Sequence, residues 1–168
     1  EIPGIYRANG LPILKCDPNK GTLYLNWCDQ RSGEEDTDVW LLTSQDGGVS
    51  WSDPIRVNQD DSERHQFFTW MTLDPSSGNL YFVYYDRRNT SGTDTETYLS
   101  YSTDGGASFV DVKASKSAFT PNPDFFFGDY LNIDAVNGQI IAIWPTISPK
   151  GKVQLFVGKT TVDRLVDQ

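Results

Sequence analysis

Aspartate and arginine recur together at residues 29–31 (Asp-Gln-Arg) and residues 86–88 (Asp-Arg-Arg). A guanidinium group matches a carboxylate through two parallel hydrogen bonds, so these arginines predict binding of an acidic ligand. The alternative interpretation is structural, because Asp and Arg at equivalent repeat positions favour a repeated ion pair. The middle arginine of the second triplet is the most distinctive candidate, since the first triplet has glutamine there. The predicted ligand-binding residues of the two triplets are Arg31, Asp86, Arg87 and Arg88.

A second group of reactive side chains lies at residues 64–65 and 129–130, where two innermost strands are expected to begin. Arg64 and His65 are predicted to bind ligand, although a lone histidine is also typical of a packed position. Asp129 and Tyr130 place a carboxylic acid next to a phenol, and they are the predicted catalytic residues. Residues 125–127, all phenylalanine, favour packing between sheets over a platform for sugars.

Two acidic loops lie at equivalent places, residues 34–38 and residues 94–96. Clustered carboxylates can hold Ca²⁺, which takes about six to eight oxygen ligands. The spacing is not that of an EF-hand, so a solvated loop is the simpler interpretation and calcium the alternative. No other metal or cofactor is predicted.

The elements that position these residues belong to an internal repeat. Residues 17–31 align with residues 74–88 and share Asp-Pro-x-x-Gly, Leu-Tyr and Asp-x-Arg. After one inserted residue, residues 37–50 align with residues 95–108, and a third unit starts at Asp134 before it diverges. Repeats of this length are typical of solenoids and propellers.

Each repeat contains short segments rich in β-branched and aromatic residues, without a helical period. The predicted strands are 23–27, 39–43, 80–85, 97–101 and 139–144. Four antiparallel strands in about 40–50 residues correspond to one propeller blade. We therefore expect an all-β fold, a partial β-propeller of about three four-stranded antiparallel blades. It forms one domain over 1–168, with blades at about 10–60, 65–119 and 125–163.

The most specific repeated feature is a turn of the form Ser-x-Asp-x-Gly-x-x-aromatic, at residues 44–51 and 102–109. Its Asp carboxylate can accept hydrogen bonds from backbone N–H groups ahead of it. The glycines supply conformations that are closed to residues with a Cβ. The final aromatic residue, Trp51 or Phe109, is predicted to cover the turn, so the motif indicates a structural role.

The two turns resemble the Asp-boxes, or BNR repeats, of the sialidase superfamily, which join the third and fourth strands of propeller blades. The resemblance covers about residues 12–119 and extends by register to about residue 160. It implies a sialidase-like exo-glycoside hydrolase acting on glycans, or a fragment of one, in an extracellular or cell-envelope location. Similar boxes occur in non-catalytic propellers. The alternatives are therefore a propeller that binds glycan or protein, and a structural repeat segment.

The resemblance also implies where a site lies. The Asp-Pro turns and Asp-boxes share one rim, and sialidase-like propellers carry their active site on the other. Such enzymes use a tyrosine nucleophile assisted by a carboxylate, with a separate aspartic acid as general acid and base. Asp129 and Tyr130 are assigned to catalysis from position alone. The family's Arg-Ile-Pro motif is missing its arginine, since residues 1–3 read Glu-Ile-Pro, so no complete arginine triad can be assigned.

Two arrangements separate the alternatives. A carboxylate, a tyrosine and arginines that converge in one pocket favour the enzyme. A rim lined by aromatic residues, with its arginines held in ion pairs, favours binding.

The net charge of −9 and the isoelectric point of about 4.4 argue against nucleic acid and anionic membrane surfaces as partners. No apolar run approaches the roughly 18 residues needed to span a bilayer, and no signal peptide is visible. A glycan ligand is compatible with this composition.

Cys16 and Cys28 are the only cysteines. Apolar or bulky residues stand at their repeat positions, so buried thiols are expected. The Asp-Pro turn pairs Cys16 with the region of Leu23, which disfavours a disulfide between the two cysteines.

Three blades make about half of an ordinary propeller, since rings contain about four to eight blades. An open array exposes sheet edges and faces that need covering. We therefore expect that a second chain, or the missing part of a longer chain, closes the ring.

Overall fold

The computed structural model describes residues 1–166, which form three antiparallel sheets and one short helix. Both long repeats fold into four-stranded sheets, with strand orders β1-β2-β3-β4 and β5-β6-β7-β8. We call these sheets blade 1 and blade 2. The strands are β1 (Ile13–Cys16), β2 (Leu23–Gly33), β3 (Asp36–Ser44), β4 (Ile55–Arg56), β5 (Gln66–Leu73), β6 (Leu80–Asp86), β7 (Glu96–Ser102) and β8 (Val110–Lys113).

The third repeat forms a three-stranded sheet, blade 3, rather than the expected four-stranded one. Its strands are β9 (Asn132–Val136), β10 (Gln139–Ile147) and β11 (Val153–Thr161), with the order β11-β10-β9. After β11 the chain forms the helix α1 (Val162–Val166). The sequence explains the difference, because the third repeat lacks the Asp-Gly-Gly turn that leads into the fourth strand of the other two blades.

The core lies between the sheets, in two apolar clusters. One cluster packs blade 1 on blade 2 through residues such as Leu41, Met71 and Phe82. The other packs blade 2 on blade 3 through residues such as Tyr85 and Trp144. The middle strand of blade 2, β6, is buried on both faces because it lies between two neighbouring blades. The all-β partial propeller predicted from the sequence is confirmed.

The two Asp-Gly-Gly turns have the predicted internal hydrogen bonds. The Asp46 carboxylate accepts from the Ser50 N–H at 2.9 Å, and the Asp104 carboxylate accepts from the Ser108 N–H at 3.0 Å. These serine contacts lower the pKa of each carboxyl to about 2, with the serine hydroxyl as the largest cause. Trp51 donates to the Gly48 carbonyl at 3.2 Å, so the aromatic residue does cover the turn.

Blades 1 and 3 each keep one apolar face without a neighbour among the described residues. Leu14, on the outer face of blade 1, is 57% exposed, and Leu155, on the outer face of blade 3, is 68% exposed. Cys16 shares the outer face of blade 1 and is exposed, whereas Cys28 is buried, and both thiols are free. The expectation of a buried Cys16 is therefore wrong, because no blade covers the face on which it lies. Its pairing with Leu23 is confirmed.

Within residues 1–166 no helix is long and apolar enough to cross a membrane.

Candidate functional site

The predicted site residues lie on one rim of the blade array, opposite the Asp-Gly-Gly turns. Strands β2 and β6 end on this rim, and β5 and β9 start there. Residues 1–10, which contain no strand, cross the same rim. The carbonyl of Gly10 accepts a hydrogen bond from the Cys28 N–H at 3.1 Å, which ties this segment to blade 1. A Cβ on Gly10 would lie 2.9 Å from the Cys28 carbonyl oxygen, so the approach needs glycine here.

The third residue of each triplet, an arginine, forms an ion pair with the first residue, an aspartate. Arg31 binds Asp29 with an Nη2–Oδ2 distance of 2.6 Å, and Arg88 binds Asp86 with an Nη2–Oδ2 distance of 2.7 Å. Each guanidinium also lies over an aromatic ring of the adjacent strand, Trp40 at 4.7 Å for Arg31 and Tyr98 at 4.4 Å for Arg88. These repeated ion pairs match the structural interpretation of the triplets, because they hold the ends of β2 and β6.

Arg88 is embedded further in a buried polar network. Its Nη1 lies 2.6 Å from an Asp111 carboxylate oxygen, in addition to the Asp86 contact. Burial alone would lower the pKa of Arg88, but its hydrogen bonds and the negative charge of Asp86 raise it above the ordinary value. Asp86 is fully buried. Asp86 and Arg88 are thus engaged with charged partners inside the chain, and ligand binding by either residue stays a prediction.

Arg87 differs from its neighbours. It is 1% exposed, and no carboxylate among residues 1–166 lies within ion-pair distance of its guanidinium. Its Nε donates to Thr95 Oγ1 at 3.1 Å, and its plane lies 5.1 Å from the centre of the Phe67 ring. Its Nη2 is buried without a hydrogen-bond partner in the described chain. Burial, with the nearby charge of Arg64, lowers the pKa of Arg87 to about 10.

His65 lies beside Arg87 and is also buried. Its Nδ1 is 3.0 Å from Thr37 Oγ1, while its Nε2 lacks a hydrogen-bond partner within the described residues and lies 3.9 Å from a Glu35 carboxylate oxygen. Burial, followed by the charge of Arg87, lowers the pKa of His65 to about 4. His65 is therefore neutral at pH 7, and one of its ring nitrogens is free to bind a further group.

Arg64 completes a group of three basic side chains. It is half-buried and donates to the Gly92 carbonyl at 2.8 Å. Its charge acts on both His65 and Arg87, since it lowers the pKa of each. The structure thus brings Arg64, His65 and Arg87 together and leaves Arg31 and Arg88 in separate ion pairs.

Asp129 and Tyr130 both lie on the rim but differ in burial and in their partners. Asp129 is buried, and its carboxylate is bound by the Arg7 guanidinium at 2.8 Å. Tyr130 is 61% exposed, with its ring centre 6.3 Å from that of Trp70. The acid and the phenol therefore do not form a hydrogen-bonded pair.

Arg7 and Tyr6 were missed by sequence reasoning. The Arg7 guanidinium lies 5.2 Å from the centre of the Phe126 ring, and the Tyr6 ring contacts the same phenylalanine at 6.5 Å. Phe125 and Phe126 are exposed, while Phe127 is buried, so the expectation that all three pack between sheets is right only for Phe127. Residues 1–10 lie outside the repeat, so no repeat equivalent pointed to Arg7.

A cavity of about 550 Å³ lies between residues 1–10 and the rim of blade 1. This volume is within the range of small-molecule sites, about 300–1,000 Å³. Its floor contains Phe67 and Thr37, which contact Arg87 and His65 respectively. The lining residues are Glu1, Ile2, Ile5, Tyr6, Arg7, Ala8, Asn9, Gly10, Cys28, Asp29, Gln30, Thr37 and Phe67.

The first acidic loop, residues 34–38, lies on the same rim, at the end of blade 1. Burial, aided by the charges of Asp38 and Asp60, raises the pKa of Asp36 to about 6. The carboxylate of Asp38 accepts hydrogen bonds from Ser32 and Asn58, at 2.6 Å and 2.7 Å. Across residues 1–166, no group of three or more His, Cys, Asp and Glu side chains is arranged to hold a metal ion. Calcium binding by these loops stays a prediction.

No protein-family model matches the sequence, and no curated protein matches it. Solved structures do resemble it, at identities that show the fold alone. The chain is similar to a Hadza microbial sialidase, Hz136, with a TM-score of 0.63 and 13% identity over 91% of this chain and 35% of that chain. It is similar to an α-L-arabinanase from Penicillium chrysogenum complexed with arabinobiose, with a TM-score of 0.65 and 16% identity over 94% and 48% of the two chains.

A third similar structure is the α-L-arabinofuranosidase Arb93A from Fusarium graminearum, with a TM-score of 0.65 and 15% identity over 96% of this chain and 48% of that chain. The chain therefore spans between about a third and a half of the length of these structures. The likeness supports a partial propeller of the fold used by glycan-acting enzymes.

Proposed function

We propose that this chain is part of a sialidase-like, Asp-box β-propeller that recognises a glycan at the rim carrying Arg87. The glycan presents an acidic group to Arg87 and His65. The proposal is supported by the two Asp-Gly-Gly turns, by the fold, and by similar structures that bear the names of a sialidase and other glycoside hydrolases.

The observation that carries the proposal is the environment of Arg87. A buried guanidinium without a carboxylate partner is energetically unfavourable, because it loses its hydration and gains no compensating charge. Arg87 has both properties, and its Nη2 also lacks a hydrogen-bond partner in the part of the chain that the structure describes. An acidic ligand satisfies both the charge and the free donor. Because Arg87 is only 1% exposed, a covering residue must move before the ligand reaches it.

The aromatic residues of the rim favour recognition over a fixed catalytic pair. Tyr6, Phe126 and Tyr130 are all exposed on this rim. Two of the predicted arginines are held in ion pairs, and the predicted acid is bound to Arg7 rather than to the predicted phenol. This is the arrangement expected of a binding propeller.

Hydrolysis is the second candidate, as an exo-acting sialidase-like glycoside hydrolase. Asp129 favours it, because this buried carboxylate is held by Arg7, whose side chain is 55% exposed. A ligand that displaces Arg7 frees an acid next to the exposed phenol of Tyr130. Release of sugar from a chromogenic sialoside, lost in Asp129→Asn, tests this candidate.

The binding proposal is tested by titration calorimetry with N-acetylneuraminic acid. Arg87→Gln introduces the residue found at the equivalent position of blade 1, and we expect it to weaken binding by tenfold or more, on the order of 1.4 kcal/mol or above. Arg31→Gln is the matched control, since Arg31 already has a carboxylate partner. Equal affinity in the parent protein and Arg87→Gln contradicts the proposal.

Two parts of the proposal concern the protein's surroundings. The exposed apolar faces of blades 1 and 3 support closure of the ring by further blades, from a second chain or from a longer chain. Glycan recognition agrees with an extracellular or cell-envelope location. Light scattering coupled to size exclusion measures the assembly. A closed fold formed by a single copy of this chain alone would contradict ring completion.

A further inference from the structure

We propose that the cavity between residues 1–10 and blade 1 binds an uncharged sugar unit, next to the acidic group held at Arg87. This inference rests on the proposed function, because it assigns a second position of the same glycan. The side chains proposed to bind this unit, Tyr6, Asn9 and Gln30, belong neither to the ion pairs of the arginine triplets nor to the predicted catalytic pair.

The charged groups that line the cavity are mostly neutralised. Arg7 is bound to Asp129, and Asp29 is bound to Arg31. Glu1 is exposed at the edge of the cavity. Arg7, which carries the one cationic side chain of the described lining, is thus neutralised, while the carboxylates of Glu1 and Asp29 contribute negative charge. This balance disfavours an acidic ligand and suits a neutral one.

The remaining polar groups of the lining are of the types that bind hydroxyl groups. Asn9 and Gln30 each carry an amide, and Thr37 carries a hydroxyl. The Gln30 Nε2 donates to the Glu34 carbonyl, which leaves the Gln30 Oε1 to accept a hydrogen bond from a ligand. The ring of Tyr6 is 69% exposed and provides an apolar surface against which the C–H face of a sugar ring can pack. An uncharged polyhydroxylated ligand matches this combination of groups.

The cavity borders the site around Arg87, because two residues contact both. Phe67 lines the cavity, and the Arg87 guanidinium lies over the Phe67 ring at 5.1 Å. Thr37 lines the cavity, and its hydroxyl contacts His65 at 3.0 Å. One glycan can therefore place an acidic unit at Arg87 and a neutral unit in the cavity.

The wall formed by residues 1–10 is fixed in place on both sides. Gly10 is in close contact with β2, and Leu11 adopts a φ of 39°, in the left-handed region that favours glycine. Toward blade 3, the Arg7–Asp129 ion pair holds the same segment. The cavity is thus bounded by a segment with several specific contacts.

The test is nuclear magnetic resonance titration of the ¹⁵N-labelled protein with the neutral disaccharides arabinobiose and lactose, read at the side-chain amides of Asn9 and Gln30. We expect these resonances to shift with at least one of the two sugars. Asn9→Ala and Gln30→Ala should each weaken its binding by about tenfold, the usual effect of losing one hydrogen bond. Gln139→Ala, an exposed amide on β10 of blade 3, is the control and should bind as the parent does.

Two results overturn the inference: both amides stay unperturbed by both sugars, or the two cavity variants bind as tightly as the control. The acidic position is tested separately by Arg87→Gln with N-acetylneuraminic acid. If Arg87→Gln keeps arabinobiose or lactose binding but loses the acidic sugar, both proposals hold. If acidic binding fails while neutral binding persists in the parent protein, the proposed anion site fails and the neutral site remains.

Discussion

The two Asp-Gly-Gly turns provide a matched pair of glycines with different surroundings. Gly48 in blade 1 and Gly106 in blade 2 have φ values of 89° and 91°. A Cβ on Gly48 would lie 3.5 Å from Leu23 Cδ1, an ordinary contact, whereas a Cβ on Gly106 would lie 2.7 Å from Leu41 Cδ2. The difference arises because the turn of blade 2 packs against blade 1, while the turn of blade 1 has no such neighbour among the described residues.

The expected loss of stability follows from these distances. Alanine in the left-handed region costs about 1–2 kcal/mol at either position. Leu41 is fully buried in the core, so it cannot move aside freely, and overpacking adds about 1–3 kcal/mol for Gly106→Ala. We therefore expect Gly48→Ala to destabilise by about 1–2 kcal/mol and Gly106→Ala by about 2–5 kcal/mol.

Urea unfolding followed by tryptophan fluorescence measures both variants against the parent protein. Thermal melts give a second estimate, since each kcal/mol lowers the Tm by about 2–4 °C in a chain of this size. Equal destabilisation by the two variants would refute the reasoning, because it would mean that the turn of blade 2 does not pack on Leu41. A native-like circular dichroism spectrum for both variants is the control for a changed fold.

Three further predictions concern buried charges and turns. His65 has a folded pKa of about 4, below its ordinary 6.5, so its contribution to stability is complete above pH 6.5 and is lost as the pH falls toward 4. His65→Gln should therefore reduce the pH dependence of the free energy of unfolding, measured in urea, across this interval. An unchanged pH dependence would exclude His65 as the cause. Asp36 has a folded pKa of about 6, above its ordinary 3.8, so its ionisation destabilises the fold as the pH rises through this interval. Asp36→Asn should therefore raise the free energy of unfolding at pH 7 but not at pH 3.5. An unchanged free energy of unfolding at pH 7 would contradict this assignment. Asp74 accepts from the Gly138 and Asn137 N–H groups of the blade 3 turn at 2.6 Å and 3.2 Å. Asp74→Ala should therefore cost about 2–4 kcal/mol, more than Asp17→Ala, because within residues 1–166 the Asp17 carboxylate accepts only inside its own turn. Calorimetric melts of both variants measure the order, and a reversed order would contradict this reasoning.

The sequence predicted the fold because the repeat itself contains the information needed. Segments rich in β-branched and aromatic residues, together with the Asp-Pro and Asp-Gly-Gly turns, place the strands within each blade. What could not be predicted depends on which blades are neighbours. Cys16 has the same strand position as the buried Leu73, yet it is exposed because it lies on an end face. Strand β2 also runs to Gly33, well past the predicted residue 27, because its polar end still pairs with β3.

The site was predicted in part, since the repeat distinguishes two kinds of arginine. Arg31 and Arg88 occupy equivalent positions and form equivalent ion pairs with Asp29 and Asp86. Arg87 has no arginine counterpart, and it is the one left without a carboxylate among the residues that the structure describes. Arg7 could not be found in this way, because residues 1–10 have no equivalent elsewhere in the chain and only tertiary packing brings Arg7 to Asp129.

The middle residue of each triplet connects the two proposed positions of the site. Gln30 and Arg87 are equivalent by repeat, and both belong to the same rim at the ends of β2 and β6. Gln30 lines the cavity, and Arg87 lies over Phe67, which also lines it. Because the flanking Asp–Arg pairs hold both strand ends in the same way, the scaffold is the same in the two blades and the middle side chain is the variable part. A neutral amide in blade 1 and a cation in blade 2 then present different chemistry to one ligand, as a glycan with adjoining neutral and acidic units requires.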